Sequence, residues 1–318
     1  MIRQLRALDR RHRGVGIGLG LAGITALVSG FSVFLNATAV RSVGDPVLFT
    51  TLKNGVAAIV LVAIAAALVP RPGAALRALD RRSIAGLLAL GVIGGSIPFV
   101  LFFTGLAGAS APAAAVIHKT MFAWVALLAV VLLRERLGML QVGALGVLLV
   151  SQLLVQPTDG LAWTSGETMI AVATGMWAVE VIVARRLLAG VPSHLAAASR
   201  MGIGLVLLVG YLAATGGLAG MGSLGGEQWA WVLGTGILLS AYVSTWYAAL
   251  TRAPATAVTA VLTLAAPLTA SLQLIANGAV PAPGAAAGYA LTLVAGLVVA
   301  WLALRRLPTA AAAQGAHA

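Results

Sequence analysis

The sequence contains no cysteine, which excludes disulfide frameworks, thiolate nucleophiles and cysteine metal sites together. Histidine is scarce too: there are four, with His12 and His317 near the two ends, too scattered for a multi-histidine metal site, and no cofactor is expected. Only 9% of the 318 residues carry charge, against about 25% in a soluble domain. Acid is the scarcer sign, with eight Asp and Glu against twenty Lys and Arg. A net charge of +12 on a soluble chain would point to nucleic acid. Here the basic residues lie in short clusters between long apolar runs rather than on one solvated face, so no nucleic-acid partner is expected. What the chain has in quantity is hydrophobic side chains, at 60%, and 38 glycines, a composition suited to lipid as solvent.

Ten apolar runs approach or reach the roughly 20 residues that a spanning helix needs. They cover 15–38, 47–69, 83–106, 111–133, 139–155, 168–188, 192–214, 229–250, 254–276 and 285–304. The runs are continuous rather than alternating at every second residue, which excludes a membrane β-barrel. The expected fold class is therefore an all-α integral membrane protein with ten transmembrane helices. Loops on the cytoplasmic side are enriched in Lys and Arg. With the N-terminus inside, sixteen of the twenty basic residues fall inside, including Arg71, Arg77, Arg81, Arg82, Arg134, Arg136, Arg185, Arg186 and Arg252. The outer loops keep only Arg41 among basic residues, beside Asp45, Asp159, Glu167 and Glu227. Both ends are then cytoplasmic in a multi-pass protein of the cell membrane, the inner membrane where there are two. Residues 1–14 read as a basic cytoplasmic N-terminus, and 306–318, rich in Ala, as a disordered tail. The first run is too long for the apolar core of a secretory signal, about 7 to 15 residues, so it reads as a retained helix.

The two halves resemble each other. Ala111-Pro112-Ala113 aligns with Ala253-Pro254-Ala255 and Gly146 with Gly288; in a nearby register Lys53 aligns with Arg200, Gly55 with Gly202 and Leu61 with Leu208. The repeats are taken as 15–157 and 158–305, five helices each. Five is odd, so the second half must enter from the opposite face, giving an inverted repeat. Such a layout places a site between two bundles near the midplane, as in secondary transporters.

Short motifs carry a family resemblance. Leu133-Arg134-Glu135-Arg136-Leu137, followed by Gln141, Gly143 and Gly146, is similar to the close of the first repeat in the drug/metabolite transporter superfamily, EamA type. Met176-Trp177-Ala178, Tyr247-Ala248-Ala249-Leu250 and Pro267 resemble that family's second repeat. Two positions depart from it: Asn277 stands where the second repeat usually has Glu, and Val125 where a Pro is common. The resemblance implies a secondary transporter, probing no further than an exporter of small metabolites of the amino-acid or a related class.

Ionisable groups in hydrocarbon cost roughly 2.5 to 3.5 kcal/mol on insertion scales, so each is a functional candidate. Glu180 lies about 18 Å into the sixth span at 1.5 Å per residue. It is expected either to pair with Arg186 or another buried cation, or to be the proton-coupling group of a translocation path. His118 and Lys119 lie deep in the fourth span. Lys119 is expected to face the interior, holding a substrate carboxylate or a structural partner, and His118 to be structural. Lys53 and Arg200, nearer their span ends, are expected to snorkel to opposite faces. Thr25, Ser29, Ser32 and Asn36 share one face of the first helix, and Thr256, Thr259, Thr263 and Ser271 one face of the ninth, as packing polar groups or as pore lining. Tyr242 and Trp246, one turn apart, suit a clamp on an apolar or cationic substrate. The candidate pathway is thus Ser32, Asn36, Lys119, Trp177, Tyr242, Trp246, Thr259 and Thr263.

Competing functions leave different marks. A membrane enzyme needs a nucleophile with its base or a metal motif, and none is visible, so no catalytic residue and no metal ligand is assigned. A lipid or lipid-linked carrier flippase, or a facilitative uniporter, would suit the same fold. Gly18-Leu19-Gly20-Leu21-Ala22-Gly23 matches a dinucleotide fingerprint by letter but lies inside a span with no strand before it. It suits small-residue helix packing better. Besides a small-molecule substrate and membrane lipids, a second copy of the chain is an expected partner, since glycines in the fifth and tenth spans permit close contact.

Overall fold

The computed structural model describes residues 2–109, 111–155 and 163–305, which form fourteen α-helices and a short 3-10 helix, Gly217–Ser223. The first repeat contains α1 (Ile2–Val43), α2 (Pro46–Leu68), α3 (Pro72–Arg77), α4 (Arg81–Ile93), α5 (Ile97–Gly108), α6 (Ala111–Lys119), α7 (Met121–Leu133) and α8 (Met139–Val155). The second contains α9 (Ser165–Leu187), α10 (Ser193–Thr215), α11 (Gly226–Leu250), α12 (Ala255–Leu262), α13 (Ala265–Asn277) and α14 (Pro283–Arg305). Among the described residues nine helical stretches are long and apolar enough to cross a membrane; Met139–Val155, in the fifth predicted run, is shorter. The predicted tail 306–318 lies outside the described residues.

Helix starts follow from local chemistry. Asp45 accepts from the Val47 and Leu48 amides at the head of α2, and Pro46 fills the first turn, where its missing N–H costs nothing. Thr164 and Glu167 form a capping box on α9. Asp80 caps α4, and its bonds with Ser83 hold its carboxyl below the usual range. A depressed acid stabilises above its unfolded pKa, so this cap is intact at neutral pH and fails as the medium acidifies.

Three spans are broken. The third breaks between α4 and α5 at Gly94-Gly95-Ser96; the fourth at Thr120; the ninth at Thr263-Leu264. Pro98 and Pro267 account for two of these, because proline has no N–H to continue the helical ladder and excludes its own fourth-preceding carbonyl. The Ser96 hydroxyl donates to the Gly91 carbonyl at 3.0 Å and the Val92 carbonyl at 3.2 Å, tying the break to the last turn of α4.

The packing exchanges the two halves. α1 packs on α11 as α9 packs on α4 and α5; α2 on α11 as α10 on α4; α1 on α13 as α9 on α7. α2 meets α10, and α8 meets α14, across the pseudo-two-fold. Most of each repeat's contacts are thus with the other repeat. One pair departs from the symmetry: α7 and α12, besides packing on α9 and α1, pack on each other, whereas the matching segments α13 and α6 pack on α1 and α9 without a comparable contact between them. Outward-facing apolar side chains such as Ile59, Val206 and Leu140, each more than two-thirds exposed, form the surface lipid would cover.

Glycine marks the closest approaches. A Cβ on Gly95 would lie 2.4 Å from the Arg200 carbonyl, and one on Gly204 would lie 2.5 Å from the Gly95 carbonyl, so the α4–α5 break and α10 touch backbone to backbone. In the predicted packing stretch of α1, Gly18 does meet Arg252 and Ala253, whereas Gly20 and Gly23 face open space. Gly95→Ala should therefore lower stability by about 1–3 kcal/mol, the cost of overpacking. Gly210→Ala, with nothing within 4 Å, should leave the melting temperature in detergent unchanged or slightly raised.

Candidate functional site

The site begins with a missing hydrogen bond. Pro98 cannot donate to the carbonyl four residues back, which is Gly94, so a backbone acceptor is left free in mid-membrane. Two side chains satisfy it: Arg200 Nη2 donates at 2.8 Å and Trp177 Nε1 at 3.2 Å. The Arg200 guanidinium at the same time grips Glu180, with Nε 2.6 Å from Oε1 and Nη2 3.2 Å from Oε2. Tyr247 Oη donates to Oε1 at 2.9 Å. Glu180 and Arg200 are 4% and 7% exposed, and Tyr247 is fully buried. Gly94 has no side chain because a Cβ there would lie 2.5 Å from Glu180 Cδ. Four elements, α9, α10, α11 and the α4–α5 break, therefore meet at one carboxylate.

Beside this cluster stands an aromatic wall. Trp177 lies edge-on to Phe99 and His118, with centroids 5.3 and 5.1 Å away, and Phe102 contacts both Trp177 and His118. His118 keeps its Nδ1 buried without a hydrogen bond. On α11, Tyr242 and Trp246 stack at 6.1 Å with an interplanar angle of 11°. Four helices, α5, α6, α9 and α11, thus offer flat apolar faces bordered by polar atoms.

Several sequence expectations are redrawn. Glu180 does not pair with Arg186, which donates to the Leu132 carbonyl, nor with Lys119; its partner is Arg200. Arg200 does not snorkel, because the carboxylate and the Gly94 carbonyl hold it inside. Lys53 does not snorkel either: it is 8% exposed, its ammonium 5.1 Å from the centre of the Phe49 ring. Lys119 ends α6 at the break in the fourth span, half-buried and without an ion pair among the described residues. Ser32 and Asn36 are half-buried on α1, the latter with an unpartnered Oδ1. Thr259 and Thr263 donate to carbonyls of their own helix, Ala255 and Ala260. Thr25 reaches across to Thr245 at 2.8 Å, so part of the α1 polar face is helix packing.

The sequence motif Leu133-Arg134-Glu135-Arg136-Leu137 also has a physical role. Arg134 ends α7 in the left-handed region at φ 55°, which turns Glu135 across to α12. Its carboxylate accepts from the Ala255 amide at 2.7 Å and the Thr256 amide at 3.3 Å, capping the first turn of a helix from the other repeat.

Two stretches, 16–156 and 164–309, each match the EamA-like transporter family. The chain belongs to the EamA-like transporter family. This EamA-like protein is accordingly a multi-pass membrane transporter of the drug/metabolite transporter type, a family of transporters rather than enzymes. One solved crystal structure shares its fold, with a TM-score of 0.70 over 89% of this chain and 98% of its own at 20% identity. No curated protein matches the sequence.

Tyr247, the Gly94 carbonyl and the inward pairing of Arg200 are the parts of the EamA-like site that residue types alone did not indicate. A signal was present for two of them. Glu180 and Arg200 lie at similar chain distances on either side of the Gly190–Pro192 turn, hence at one depth, and Pro98 marks the orphan carbonyl. Breaking one member of a buried pair strands the other, at about 3–5 kcal/mol. Arg200→Met and Glu180→Gln should each lower thermal stability in detergent strongly, and the double variant should regain a large part of the loss. A double-mutant cycle with no coupling between the two positions would contradict this geometry.

Proposed function

We propose that this transporter exports a small metabolite of the amino-acid or a related class by alternating access between two inverted five-helix repeats. In this proposal Met139–Val155 crosses despite its 17 residues, giving ten crossings. Both termini are cytoplasmic, as the basic loops direct. The observation that carries it is the broken symmetry of packing. α7 and α12 are joined at the end of the bundle bearing Arg134, Arg136 and Arg252, with Glu135 across the seam, while α6 and α13 at the other end pack away from each other. A two-fold scaffold with one of two equivalent seams closed is one of a pair of states; closing the other seam and opening this one gives its mirror. With the positive end inside, the seam closed in this conformation is the cytoplasmic one.

Glu180 is the proton-coupling group in this proposal. Taking up a proton there removes the countercharge of Arg200 and one acceptor of Tyr247, beside a span already broken at Gly94. Arg200 also holds the Gly94 carbonyl, so the change is felt at the hinge between α4 and α5. Trp177, His118, Tyr242 and Trp246 supply the flat surfaces along the pathway, with Lys119, Ser32, Thr259 and Thr263 beside it. Gly143 and Gly146 of α8, with nothing within 4 Å, offer the face for a second copy.

The test is transport in liposomes under an imposed pH gradient, with internal pH followed as pooled amino acids are added. Wild type should move protons only when the pool is present. Glu180→Gln should abolish that flux while still exchanging labelled substrate. Substrate exchange without protons in wild type would make the protein a facilitative uniporter, and no movement of any pool would overturn the proposal in favour of lipid transport.

A further inference from the structure

The two matched intramembrane cations, Lys53 and Arg200, differ in what surrounds them. Arg200 has a carboxylate, a backbone carbonyl and the Met201 sulfur. Lys53 has the face of Phe49 and no carboxylate among the described residues. In the register that aligns Lys53 with Arg200, the position equivalent to Glu180 is Val33, which points outward with more than half its surface exposed. Asp45, the acid nearest in the chain, caps α2, and Glu227, on α11 packed against α2, accepts from Trp231 Nε1.

The neighbours of Lys53 are unsatisfied too. Thr50 and Asn54, one turn before it and one residue after it on α2, are 1% and 0% exposed. The Thr50 hydroxyl and both Asn54 amide atoms lack any hydrogen-bond partner, whereas Thr51, equally buried, bonds the Val47 carbonyl. Asn36 on α1 leaves a fourth buried atom, Oδ1, without a partner; it precedes by one turn Ala39, which packs on Phe49. Buried polar groups are otherwise hydrogen-bonded in more than about nine cases in ten, so these four orphans, three of them flanking Lys53 on α2, require an explanation. An isolated buried charge is also among the costliest groups a fold can hold.

We infer that Thr50, Lys53 and Asn54 form a binding site for the carboxylate of the transported substrate, which takes the place that Glu180 fills beside Arg200. The donors match the ligand: an ammonium, a hydroxyl and an amide NH2 can serve the two oxygens of one carboxylate. The acceptors match the rest of an amino acid. Asn54 Oδ1 and Asn36 Oδ1 remain for an ammonium group, and the Phe49 face closes the apolar side. The site is shut in this conformation, so entry requires α2 to part from the elements around it; Gly236 of α11, where a Cβ would lie 3.0 Å from the Lys53 carbonyl, is one such contact. The inference rests on the transport function proposed above and names the chemistry of its substrate.

Two readouts separate its failure from that of transport itself. In the first, thermal shift of the purified full chain is measured with a mixture of neutral L-amino acids, with their amides, and with chloride or phosphate alone. The amino acids should stabilise wild type; the amides, chloride and phosphate should not. Lys53→Met should weaken the amino-acid effect about 10- to 100-fold in concentration, the value of a charge-assisted hydrogen bond. It should also raise the melting temperature of the ligand-free protein, because an unpaired buried charge is gone; a merely structural lysine would lower it. Asn54→Leu serves as a second variant, with the same loss of binding. In the second readout, counterflow of the same labelled mixture is followed in liposomes. Wild-type counterflow with Lys53→Met equal to it in rate and in preference for acids over amides overturns the site and leaves transport standing. Equal stabilisation by phosphate or chloride overturns the carboxylate assignment, and wild type that neither binds nor exchanges amino acids overturns both.

Discussion

A carbonyl without its amide partner is the constraint on which the centre of this protein depends. In water the Gly94 oxygen would be hydrated; inside a membrane it must be met by the protein. Arg200 meets it, and an arginine there must in turn be neutralised by Glu180, which is oriented by Tyr247. Each buried group is thus present because of the preceding one. The chain of obligations ties α4, α5, α9, α10 and α11 together at one point, and the contacting glycines, Gly91, Gly94, Gly95 and Gly204, are what let the backbones come near enough.

Much of this was legible in the sequence. Hydropathy located the membrane-spanning runs, and the internal match of Lys53 with Arg200 and of the two Ala-Pro-Ala segments marked two halves. The helix breaks were written in Gly94-Gly95 and Pro98, and in Pro267. What residue types could not convey was pairing between distant helices. Snorkelling was the natural expectation for cations near span ends, yet a side chain's direction is set by tertiary packing: Arg200 turns inward because a carboxylate and an orphan carbonyl await it. Thr259 and Thr263 share a helix face as polar pore residues would, but they donate to their own helix's carbonyls, a use that periodicity cannot distinguish.

The two repeats are alike in fold and unlike in charge. The second repeat holds a complete ion pair, and the first holds a cation with unsatisfied polar neighbours at the matching place. The asymmetry separates a cation whose charge is met inside the protein from one whose polar neighbours have no protein partner. The fold tolerates it because the packing between repeats, rather than the charges, supplies most of the contact.

Glu135 joins the repeats by a carboxylate on the amides of α12, and the matching position of the second repeat is Asn277, exposed at the end of α13. A neutral amide binds backbone donors about half as strongly as a carboxylate. The two seams of the molecule are therefore held with unequal force, although their scaffolds are equivalent. In the proposed alternating-access cycle such a difference would set the resting occupancy: about 1.4 kcal/mol between the seams corresponds to a tenfold preference for one face. A substitution at a loop residue, far from any substrate, would then decide toward which side of the membrane the empty protein waits.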